Sequence, residues 1–336
     1  MRLLTKFLLP LLLLIIYGCA PEATIMVTTL PETPEEAARA KEIWQKVEER
    51  KKAIKNNPEW INDSYKGVKI KSLSNIPIER YPDYKKFLDD GRVYIINHPA
   101  YYTFFHHPKI ERKDNTKNIE DIFIAGEELA VEDSAEKKPV KRHNKDAIKI
   151  MREFERIERN FLEFKSAEQR LIILIIPGNY KKYSKYRYKN GTDEYARFIN
   201  EATNLSESVV YLESKKANIG QLIDEDLNTL IEFLQKIGTT SIFIGGEYVG
   251  RCEEDFYKHF SSGISSNIPI ELIPELSPVS PDDMTPNMKP LLDQNDKLDI
   301  QATTHNIFKN MYDNMDSVPK IRNLKSRMSY EKPDEK

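Results

Sequence analysis

Apolar residues along the chain fall into two patterns that take turns. Continuous runs rich in β-branched residues occur at Val93-Tyr94-Ile95-Ile96, Leu171 to Ile176, Ser208 to Leu212 and Thr240 to Ile244. Such runs predict short strands buried on both faces. Between them the apolar positions recur at helical spacing. Ile148, Met151, Phe154, Ile157, Phe161 and Phe164 do so within Asp146 to Gln169, and shorter helices are expected over Asp193 to Ala202, Asp224 to Ile237 and Glu253 to Phe260, ahead of the apolar run Ile268 to Ile273. Strict alternation of doubly buried strands with helices predicts an α/β fold, a parallel sheet with helices on both faces, over residues 91–276.

The flanks read differently. Thr33-Pro34-Glu35-Glu36 supplies a helix cap, a proline at the first helical position and acids at the positive helix end, so a helical extension is expected from residue 35 toward Lys55, within a segment reaching residue 90. Residues 19–34 are rich in Thr, Pro and Glu without helical period and read as a tether. The charged excursion from Lys109 to Asn144 and the tail 277–336 are expected to be partly flexible, with a weak helix near Ile300 to Met315.

The start of the chain has the plan of a secretory signal, with Arg2 and Lys6 ahead of an apolar run from Phe7 to Tyr17. That run is shorter than the roughly 20 residues a finished span needs. The segment Ile16-Tyr17-Gly18-Cys19 resembles the lipobox of bacterial lipoproteins, although Tyr17 is bulkier than the usual residue there. The resemblance implies removal of residues 1–18, lipidation of Cys19 and an anchor in the cell envelope. Ala20 after the cysteine implies the outer membrane, with the chain facing the periplasm.

Charge narrows the partners. The chain holds 51 basic and 53 acidic residues, and loss of Arg2 and Lys6 leaves a formal charge of about −4. Nucleic acid is therefore not an expected partner; a membrane through Cys19, and a small ligand or an envelope protein, are. No P-loop or Gly-x-Gly-x-x-Gly sequence occurs, and no cofactor is expected. Of the two cysteines, acylation uses Cys19 and leaves Cys252 alone in an oxidising compartment.

In open parallel sheets ligands bind beyond the carboxyl ends of the strands. The strands exit into Asn97-His98-Pro99, Pro177-Gly178-Asn179-Tyr180, Glu213-Ser214-Lys215-Lys216 and the glycine-rich Gly245 to Cys252. Candidate ligand-binding residues are therefore Asn97, His98, Asn179, Tyr180, Gly246 and Arg251. Cys252 opens a helix beside Arg251, where the helix dipole and the adjacent charge favour thiolate; Glu253, Glu254 and Asp255 oppose it. It reads either as a nucleophile or as a small buried residue at a helix start. Glu213 and Glu247, taken to end neighbouring elements, form a candidate acid/base pair or pair with Arg251 and the lysines. His98, His106 and His107 are close in sequence, but adjacent histidines rarely face one ion, so no metal is expected. Tyr94, Tyr101, Tyr102, Phe104 and Phe105 line either a pocket or the core.

From Gly191 to about Asp282 the chain resembles the isochorismatase-like cysteine hydrolases. Lys215 and Lys216 follow the third strand, Gly220-Gln221-Leu222 precedes a helix, and Gly246 stands six residues ahead of Cys252. The resemblance implies that fold, with Cys252 as nucleophile and Lys215 or Lys216 stabilising charge. The family's catalytic aspartate falls at Asn97, whose amide is no base, so an acid such as Glu213 or Glu247 has to substitute for it. Two functions follow: an anchored binding protein without turnover, or a cysteine amidohydrolase.

Overall fold

The computed structural model describes residues 33–64, 66–106, 145–181, 193–217, 219–265 and 267–280. It adds short pieces at 291–294, 297–299, 302–303, 306 and 320–321. The expected signal, Cys19, nearly all of the expected tether, the excursion to residue 144 and most of the expected helix near Ile300 to Met315 lie outside the described residues.

The chain starts with α1 (Pro34–Lys55) and the short α2 (Pro58–Ser64). The capping residues expected for α1 form a reciprocal box: the Glu36 amide donates to Thr33 Oγ1 at 3.2 Å, and the Thr33 amide donates to Glu36 Oε2 at 3.3 Å. There follow β1 (Lys71–Ser72), β2 (Arg92–Asn97), α3 (Lys145–Ala167), β3 (Ile172–Ile176), α4 (Glu194–Ala202), β4 (Val209–Glu213), α5 (Asp224–Ile237), β5 (Ser241–Gly246), α6 (Cys252–Ser261) and β6 (Ile270–Leu272). Six strands form an all-parallel sheet in the order β1-β4-β3-β2-β5-β6, and the two-residue β7 (Lys320–Ile321) pairs beyond β6. Among the described residues, no helix is long and apolar enough to cross a membrane.

The two-residue period of the strands sorts their side chains into two layers. Tyr94, Ile96, Ile172, Leu174 and Ile176 pack against α1, α3 and α4. Val93, Ile95, Leu171, Ile173 and Ile175 pack against α5 and α6. The expected α/β fold with both faces covered is what the chain forms.

The segment read as a helical extension belongs to this same unit. Lys71 and Ser72 pair with Val210 and Tyr211, and the 3₁₀ segment Ile78–Phe87 buries Tyr81, Tyr84 and Phe87 in the second layer, with Tyr81 and Tyr84 edge-on to Phe233 of α5. The beginning of the tail is also built in: Val279 is buried and bridges to Val249.

Chain order decides where the sheet opens. From β2 the chain steps to β3 and then β4 on one side, and α5 then carries it back to β5 on the other side of β2. The carboxyl ends of β2 and β5 therefore flank a topological switch point, the crevice where such sheets take ligands. Their register runs in step to the last residue, Asn97 opposite Gly246. Glycine is required there, because Gly246 has φ +87° and a Cβ would lie 2.0 Å from the Asn97 carbonyl oxygen. Gly238, at the end of α5, also has positive φ but open space around it. Gly238→Ala is accordingly expected to cost about 1 kcal/mol. Gly246→Ala adds a backbone clash and is expected to cost roughly 3 kcal/mol or more. Urea denaturation of the two variants side by side checks this, and equal costs would contradict the assigned β2–β5 approach.

Candidate functional site

Residues immediately past the β2 and β5 ends turn sharply. His98, Ala100 and Glu247 have φ of +45°, +53° and +35°, values that cost a residue with a Cβ on the order of 1–3 kcal/mol each. Strain of this kind collects where side-chain placement matters more than backbone comfort. It brings His98 Nδ1 into direct contact with the Glu247 carboxylate, with both side chains sealed from solvent. Tyr101 stacks on the His98 ring at 5.6 Å between centroids.

The other imidazole nitrogen is held by a residue that the sequence did not single out. His98 Nε2 lies 2.7 Å from Ser214 Oγ. That hydroxyl also receives the Gly178 amide at 3.0 Å and donates to the Lys216 carbonyl oxygen at 2.8 Å. A hydroxyl has one proton and two lone pairs. The proton goes to Lys216 and one lone pair to Gly178, so His98 must donate to the other. His98 Nε2 is therefore protonated, and the Ser214 hydroxyl is spoken for. A serine-histidine-glutamate relay needs the opposite arrangement, with serine donating to histidine.

Cys252, the first residue of α6, completes the group. Its Sγ, a Glu247 carboxylate oxygen and a His98 ring nitrogen all lie within 4.8 Å of one another, and all three residues are buried. The sulfur bonds to the Glu247 carboxylate and receives the Gly220 amide. Asn97 Nδ2 donates to the Cys252 carbonyl at 3.0 Å. A Cβ on Gly220 would sit 2.0 Å from that same carbonyl oxygen, so the loop before α5 is pressed directly onto the start of α6.

Of the two readings of Cys252, the small buried residue at a helix start is the one its surroundings match, and thiolate is not favoured. Burial pushes the Cys252 thiol up, and the charge of Glu247 and its bond to the sulfur push further, with Asp255 adding to them. Of the flanking acids, Glu253 turns inward, where burial holds its carboxyl well above the usual range, and Ser277 Oγ lies 2.9 Å from it.

The remaining candidates separate by strand alternation. Ser214 is buried, whereas Glu213, Lys215 and Lys216 on either side of it are exposed. The expected pairing of Glu213 with Glu247 rested on their ending neighbouring elements. It fails because β3 and β2 stand between β4 and β5. Asn179 is exposed with φ +60°, and Arg251 is half-buried at the N-cap of α6. Tyr180 is buried, its hydroxyl accepting from the Val68 amide at 3.3 Å. Among the expected pocket aromatics, Tyr94, Tyr102 and Phe104 lie in the core. His107 and the side chain of His106 are outside the described residues.

Sequence reasoning missed Ser214, although its period-2 position between outward-facing charges carried the signal. It also missed Glu158 of α3, which accepts the strained Ala100 amide at 3.1 and 3.2 Å. Burial pushes Glu158 up to about 8, and it pushes its neighbour Glu155, bonded to Thr103 Oγ1, up to about 7.

The chain matches no protein-family model, no curated protein and no solved structure.

Glu158 gives this region a measurable pH signature. Its folded form keeps a proton that the unfolded chain loses above 4.5, so stability falls as pH rises from there to about 8. The slope from this group is about 1.4 kcal/mol per pH unit. Glu158→Gln should remove that share of the slope in denaturation series at stepwise pH. An unchanged slope would refute the buried neutral acid.

Proposed function

We propose that the chain is a lipid-anchored protein of the bacterial envelope, held through Cys19, whose strand-end site binds a ligand without thiol turnover. The observation that carries the second half is where the charges sit. Lys215 and Lys216, the groups that would stabilise a developing oxyanion in a hydrolase of this layout, are exposed on the outside of the β4 exit. Ser214, the side chain turned toward the site at that exit, is saturated by three hydrogen bonds. Cys252 is 6% exposed and backed by Gly220. A closed polar group at a switch point, with its thiol buried and its lysines turned away, suits recognition and positioning better than attack on an amide.

A second reading has one observation in its favour. The bond between the Cys252 sulfur and the Glu247 carboxylate is a nucleophile–base contact, and Glu247 then takes the part that the resemblance to isochorismatase-like hydrolases assigns to an aspartate. On that reading the protein is a cysteine amidohydrolase.

Alkylation separates the two. In chelator-containing buffer near neutral pH, iodoacetamide is expected to modify native Cys252 at least roughly tenfold more slowly than the urea-unfolded chain. Native labelling faster than that of a free small-molecule thiol would reject binding without turnover. The anchor is tested apart from the site. Cells fed labelled palmitate should transfer it to the wild-type chain and not to Cys19→Ala; label retained by the variant would reject lipidation at this residue.

A further inference from the structure

At the switch point three electron-pair donors of different kinds face one another, all of them buried. His98, Glu247 and Cys252 are 0%, 3% and 6% exposed. Their ligating atoms lie within 4.8 Å of each other, and among the described residues no other three such side chains converge this way. The Ser214 accounting makes the arrangement sharper. Because Nε2 must donate to Ser214, Nδ1 is the nitrogen left to face the Glu247 carboxylate. His98 Nδ1 and Glu247 Oε2 have no partner other than each other, so both lone-pair-bearing atoms are turned into the cluster.

We propose that this cluster binds one divalent cation of the zinc class, through His98 Nδ1, a Glu247 carboxylate oxygen and Cys252 Sγ. The inference rests on the strand ends being a binding site and names what they bind. One imidazole, one carboxylate and one thiolate form a donor set that zinc accepts and that calcium and magnesium, which require oxygen, do not. Three protein ligands leave a fourth position for water or a small molecule.

Supports around the ligands are in place. Ser214 fixes the imidazole ring and its tautomer, and the Gly220 amide and the Asn97 side chain fix Cys252. Zinc–ligand bonds of about 2.1 Å set tetrahedral nitrogen and oxygen donors about 3.4 Å apart, inside the 4.8 Å that spans this cluster.

Zn²⁺ with a neutral imidazole, a carboxylate and a thiolate is a neutral group, so the buried site would hold the ion without net charge.

The test uses the full-length chain carrying Cys19→Ser, so that Cys252 is its one thiol, with ZnCl₂ and CoCl₂ as probes. The expected result is one equivalent of Zn²⁺ retained after gel filtration and a thiolate-to-cobalt charge-transfer band with Co²⁺. Ser214→Ala, which leaves every ligand in place, should weaken Zn²⁺ binding about 10- to 100-fold, and Glu247→Gln should weaken it more. Circular dichroism of each variant establishes that it is folded. A folded parent chain that retains no Zn²⁺, or that binds Co²⁺ without the thiolate band, overturns the proposal. Either failure combined with slow alkylation in chelator leaves the binding reading standing, so the two ideas fail separately.

Discussion

The close approach of β2 and β5 is the constraint from which the rest of the site follows. Because Gly246 presents no side chain to Asn97, the two strands stay in register to their final residues. The next residue on each, His98 and Glu247, is then placed directly across the gap. Both adopt left-handed backbone, which turns their side chains into contact instead of letting them splay. The cost of that strain is borne by a sheet whose central strands are buried on both faces over their length. A sheet with weaker layers would relax at its carboxyl edge and lose the contact.

The fold was legible in the sequence because doubly buried parallel strands write themselves as continuous apolar runs. β2 to β5 and the helices between them fall within a residue or two of the pattern. β1 was not legible. It is the two-residue Lys71–Ser72, polar and without period, and it is a strand only because β4 offers it an edge. The 3₁₀ segment that follows hides its buried Tyr81, Tyr84 and Phe87 among charged residues and Pro82, at a spacing that matches neither template.

Half of the site could be read the same way. Strand exits pointed to Asn97, His98, Glu247 and Cys252, since each lies in a segment that leaves an apolar run. Which of them meet is a matter of strand order, and a linear pattern does not encode that. Glu213 seemed a neighbour of Glu247 because β4 and β5 are consecutive in the chain, yet the chain crosses the sheet between them. For Cys252 the sequence left two environments open for a related reason. Local sequence shows a helix terminus, an arginine and three acids, and the buried alternative holds because burial and an acid five residues earlier that folds back onto the sulfur dominate.

The alternation of β4 at its exit has a further meaning. Val210 and Leu212 anchor that strand in the second layer, and this phase turns Ser214 inward while Glu213 and Lys215 face out. A slip of one residue would exchange the phase of every side chain along the strand. It would set a carboxylate or an ammonium against His98 in place of a neutral hydroxyl, and the imidazole would no longer be obliged to donate through Nε2. Greasy residues of a neighbouring segment thus select the histidine's tautomer, so that pattern recognition between strands becomes, two residues later, a choice of chemistry.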